Sequence, residues 1–107
     1  MTLAEFKSTL SGSAPPPLGA AALEALWWAA KGDWNRAHGL AQDDPSREAA
    51  WVHAYLHRVE GDLGNAGYWY RKAGRPATSD PLDMEWEAIV TALLPAAKST
   101  RTGRGGQ

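Results

Sequence analysis

One segment of this chain occurs twice, offset by 29 residues, and it constrains the fold more than anything else in the sequence. Trp28-Ala-Ala-Lys-Gly32-Asp33-Trp34-Asn-Arg-Ala37 returns as His57-Arg-Val-Glu-Gly61-Asp62-Leu63-Gly-Asn-Ala66. Gly, Asp and Ala coincide, and a large apolar residue follows Asp both times. Gly-Asp between two helical patterns is a helix–turn–helix joint, because Gly adopts the left-handed conformation that ends one helix and Asp caps the next. Two such joints at a fixed offset predict a small helical repeat protein.

The flanking punctuation predicts six helices and no sheet. Thr2-Leu-Ala-Glu5 has capping-box spacing, and Leu3, Phe6 and Leu10 share the face of a short first helix closed by Ser11-Gly12-Ser13. Ala14 to Pro17 reads as a stiff linker, with Pro17 opening a second helix that stops at Gly32. The third runs from Trp34 to about Gln42 behind its Asp33 cap. Asp44 as cap and Pro45 in the first turn begin a fourth, ending near Glu60. The fifth spans Leu63 to Ala73, ended by Gly74-Arg75-Pro76. Asp80-Pro81 repeats the cap-and-proline start, and the sixth helix carries Leu82, Trp86, Ile89, Val90, Leu93 and Leu94 up to Pro95. No stretch alternates as a strand does.

The second unit resembles a tetratricopeptide repeat at Gly61, Leu63, Ala66, Tyr70 and Ala73. The first matches at Gly32, Trp34 and Ala37 but has Ala41 where the aromatic belongs. The region around Trp51-Val-His53-Ala-Tyr55-Leu-His57-Arg58 and Tyr68-Trp69-Tyr70-Arg71 also resembles a group of small uncharacterised bacterial proteins. The resemblance covers about residues 18–94 and implies an all-α fold, a short α-solenoid of about two helix pairs. Repeat 1 is placed at about 18–42, repeat 2 at about 45–74, and a C-terminal capping helix at about 81–94. The offset is shorter than the usual period of 34 residues. Stacked repeats need about three units for a continuous core, so the first and last helices are expected to cap the two ends. Residues 1–95 are expected to form the domain and 96–107 a disordered basic tail with Lys98, Arg101 and Arg104. Gly67 inside the fifth helix is expected to allow a close neighbour.

Composition removes several classes of function. The chain has no cysteine, so disulfides, thiolate metal sites and cysteine nucleophiles are excluded. Net charge is −1 with acids and bases interspersed, which offers no specific nucleic-acid surface. No apolar run approaches the roughly 18 residues of a membrane span, and Met1 to Pro17 lacks the pattern of a secretory signal. The expectation is a cytoplasmic protein.

Two groups of residues carry candidate chemistry. Eight large aromatics in the two repeats exceed what two helix pairs enclose. Trp27, Trp34, Trp51 and Tyr70 are assigned to the core and Trp28 to neither side. Aromatics beside arginines suit a protein interface, and the face assembled from Trp51, Tyr55, Arg58, Tyr68, Trp69 and Arg71 makes the leading reading a non-enzymatic module. It would bind a protein partner or a second copy of itself and need no cofactor. Capture of a peptide's terminal carboxylate in the tetratricopeptide manner is not expected, because the corresponding positions hold Ala22, Leu26, Trp51 and Tyr55. The alternative is a metal- or small-molecule-binding protein, with a hydrolase as the enzymatic form of that reading. His53 and His57 lie one turn apart on one helix face, with Glu60 on the same side, and could hold Zn2+. The catalytic zinc signature needs Glu directly after the first His, and Ala54 stands there. Hydrogen bonds from these histidines to Tyr68 or Asp62 are the structural expectation.

Overall fold

A computed structural model describes residues 1–94. Closure of the last helix by Pro95 and the expected tail at 96–107 lie outside the described residues. The described chain is all-α, with α1 Leu3–Ser8, α2 Ala21–Ala30, α3 Trp34–Gln42, α4 Arg47–Glu60, α5 Leu63–Ala73 and α6 Leu82–Leu93; a 3-10 turn, Thr9–Ser11, extends α1. None of these helices is long and apolar enough to cross a membrane.

The two joints have the same construction. Gly32 and Gly61 sit at φ +86° and +89°, where a side chain is strained. In each, the glycine N–H donates to a carbonyl three residues back and the aspartate N–H to one five back: Asp33 to Trp28 and Asp62 to His57, both 2.9 Å. The aspartates then cap, Asp33 accepting from the Arg36 N–H at 3.1 Å and Asp62 from the Asn65 N–H at 3.2 Å. Thr2 and Glu5 form the expected capping box.

Three helix starts differ from the sequence reading. Pro17 does not open α2, because Gly19 turns the chain at φ +78° and the helix begins at Ala21. Asp44 does not cap α4; its carboxylate accepts from the Ser46 N–H, and Ser46 is the cap, accepting from Ala49. Asp80 does not cap α6 either. Pro81 holds the cap position, while the Asp80 carbonyl accepts from Arg58 at 2.6 Å.

Helix α2 packs on α3, α4 on α5, and α3 on α4, so the two helix pairs adjoin. The main core gathers Phe6, Leu23, Leu26, Trp27, Val52, Leu56, Ile89 and Val90, none more than 1% exposed. Burial of each large aliphatic contributes roughly 1.5–3 kcal/mol. The terminal helices do not cap opposite ends: α6 lies against α2 and α4, and α1 lies against α6. Phe6 and Trp86 pack 5.8 Å apart, and the Trp86 indole donates to the Leu26 carbonyl at 2.9 Å. The apolar face of α6 thus fills the side formed by the first helix of each pair.

A buried carboxylate ties α4, α5 and α6. Glu85 is 5% exposed and accepts from Arg58 and from the Tyr70 hydroxyl, both at 2.5 Å. Burial and this hydrogen bond push the Tyr70 phenol well up, and burial raises Tyr55, close to the same carboxylate, to about 12. Glu85→Ala leaves the Arg58 guanidinium without its counter-ion and the Tyr70 phenol without its acceptor, and loss of about 3–5 kcal/mol is expected in chemical denaturation.

Gly67 does not mark a close helix approach. A β-carbon there meets only the flexible Arg71 side chain, at 3.6 Å, because the buried stripe of α5 is Ala66, Tyr70 and Ala73. Leu63, a position of the tetratricopeptide resemblance, is 69% exposed. Gly67→Ala should therefore stabilise the protein by about 0.5–1 kcal/mol, read as a raised denaturation midpoint at unchanged slope.

Candidate metal centre

The helix period places His53 and His57 on one face of α4, and the packing of α3 on α4 brings His38 against them. His53 and His57 stack at 4.9 Å between ring centres. His38 meets both edge-on, at 4.6 Å and 5.3 Å. One ring nitrogen from each of the three lies within 4.8 Å of the others. Indoles close two sides. Trp69 on α5 lies flat on His53 at 3.8 Å, and Trp34, one turn before His38, stacks on it at 4.7 Å. Trp34 is anchored by donating its indole N–H to the Leu56 carbonyl at 2.7 Å.

His53 and His57 are buried and His38 is half-buried. Burial is the main reason the His53 ring is pushed down to about 4, with repulsion from His38 and His57 adding to it. His38 is lowered by burial first and then by His57, against an opposing pull from Glu60. Both rings are therefore neutral near pH 7 and offer a lone pair each. Among the described residues, His53 Nδ1 is buried without a hydrogen-bond partner.

His57 differs, because its Nδ1 is 2.6 Å from Glu60 Oε2. An ionised carboxylate only accepts, so Nδ1 donates and the lone pair of a neutral His57 ring sits on Nε2. The hydrogen bonds expected from the histidines to Tyr68 or Asp62 are replaced by this one. Glu60 and Asp62 form a second, more exposed group with His57, but Asp62 is engaged as the α5 cap. The sequence reading found His53, His57 and Glu60 and missed His38. The available signal was the Trp34/His38 pair, one turn apart on α3. It was obscured because His38 aligns with Gly67 in the repeat.

The six residues proposed as one binding face do not share a surface. Tyr55 is buried at 7% exposure, and Arg58 is taken up by Glu85 and the Asp80 carbonyl. Trp51 is half-buried between the main core and a smaller apolar cluster of Ala54, Ala66 and Tyr70, with the Arg75 guanidinium 3.8 Å from its ring centre. Trp69 covers His53. Tyr68, 47% exposed, and Arg71 remain outward on α5. Of the aromatics assigned to the core, Trp27 and Tyr70 are buried and Trp34 is half-buried, as is Trp28.

Three imidazoles, with a carboxylate behind one of them, form a donor set suited to a divalent transition metal. Tetrahedral Zn2+, with bonds of about 2.0–2.1 Å, keeps its donors well inside a 4.8 Å separation.

Because the folded His53 ring titrates at about 4 rather than 6.5, the unfolded chain takes up that proton first on acidification. The metal-free protein should hold its full stability above pH 6.5 and lose it progressively towards pH 4, with His38 acting in the same direction. Thermal melts in chelator across that window should slope accordingly, and His53→Gln should flatten the slope.

No family model, no curated protein and no solved structure matches this chain.

Proposed function

We propose that this chain is a metal-binding protein whose centre is His38, His53 and His57, with Zn2+ as the ion that best suits three imidazole ligands. The observation that carries this reading is the convergence of two buried rings and one half-buried ring, together with the Nδ1 of His53, unpartnered among the described residues. Buried polar atoms are seldom left without a partner. A cluster formed only for packing gains nothing from a third imidazole against two others, whereas a ligand set uses all three.

The reading as an interaction module, with a protein partner or second copy, retains less support. Its aromatic face is divided between the α6 contact and the histidine cluster. The side formed by α2 and α4, where a tetratricopeptide arrangement would put its groove, is packed by the chain's own α6, with Trp86 bonded to the Leu26 carbonyl.

Protein freed of metal, re-equilibrated with Zn2+ and dialysed should retain one ion per chain by elemental analysis. His38→Gln and His53→Gln should each weaken retention beyond the roughly 10–100-fold typical of losing an outer partner. Equal retention by wild type and both variants would sink the assignment.

A further inference from the structure

The three rings leave an ion one ligand short of a tetrahedron, and the source of the fourth ligand can be traced by elimination. Glu60 is the nearest carboxylate, but its Oε2 is bonded to His57 Nδ1. The two nitrogens of an imidazole point away from each other, so a carboxylate held on Nδ1 stands behind the ring when the ion is at Nε2. Glu60 therefore takes the outer position in a carboxylate–histidine–metal arrangement. Asp62 lies on the same outer side as Glu60, and its two oxygens are 3.2 Å and 3.4 Å from the Asn65 amide and side-chain nitrogens. Trp34 and Trp69 wall the cluster, and indoles donate without ligating. Residues 95–107 contain no His, Cys, Asp or Glu. Solvent reaches the group at His38, which is half-buried while the other two rings are buried.

We infer that the centre is of the open kind: three histidine ligands, Glu60 outside the coordination sphere as the positioning residue for His57, and a fourth position exchangeable with solvent. That position takes small monodentate donors of the class of hydroxide, azide or a carboxylate oxygen. Structural zinc sites are closed by four protein ligands, whereas sites that act on a substrate keep three and one free position. The inference rests on the metal assignment above and adds the ligand class of the site.

Co2+ replaces Zn2+ as an absorbing probe, and sodium azide serves as the test ligand. Co2+-loaded wild-type protein should show a visible ligand-field spectrum that azide shifts saturably. Glu60→Gln should bind Co2+ about 10–100-fold more weakly yet keep the wild-type spectrum and its azide response, since the inner ligands are unchanged. Glu60 is 39% exposed by side chain at the end of α4, so the apo variant should melt with the wild type. A spectrum indifferent to azide would mean a closed centre and overturn the inference. A changed Co2+ spectrum in Glu60→Gln would make Glu60 an inner ligand and overturn it equally. Failure of wild-type protein to take up Co2+ or Zn2+ would instead remove the metal assignment itself.

Discussion

The left-handed glycine at each joint governs where every ring of the centre comes to rest. At Gly61 the chain reverses within two residues, so that α5 returns along α4 and lays Trp69 on His53. At Gly32 the same reversal starts α3 with Trp34 in its first turn, one turn ahead of His38. A side chain at either glycine opposes the positive φ and shifts the direction of the following helix. The aspartates that come next fix the first turn of α3 and α5 through nearly equal hydrogen bonds. The duplicated segment is thus the device that sets the angular position of the aromatic walls.

Between the helix pairs, chemistry replaces ordinary packing. Most of the core is held by apolar contact, and α6 is fastened by a buried carboxylate with two donors. The histidine group has neither kind of support in full. Its rings bury apolar edges, yet one buried nitrogen is unpaired and the rings tolerate one another only while uncharged. Burial of His53 and His38 enforces that neutrality, which is also the state in which imidazole ligates. Stability and ligand capacity therefore draw on the same desolvation.

The all-α class, both joints and the ends of α3, α4 and α5 were legible because Gly, Asp and the apolar period all act locally. The starts of α2, α4 and α6 were not, because prolines suggested starts that Gly19, Ser46 and the Arg58 contact to Asp80 displaced. In the candidate centre, the His53/His57 pair followed from spacing alone. His38 did not, since its meeting with them depends on how α3 lies across α4, a tertiary fact with no periodic trace. The proposed aromatic face failed for a related reason. Helical phase places Tyr55 and Arg58 on α4 but does not reveal that α6 returns to cover them and supplies Glu85 as their buried neighbour.

The stacking of Trp69 on His53 at 3.8 Å has an optical consequence. An indole in van der Waals contact with an imidazole loses its excited state readily when that imidazole becomes cationic or acquires a paramagnetic neighbour. The protein therefore carries its own fluorophore on the wall of the histidine cluster. Protonation or metal binding at the centre is expected to register in native emission without a label.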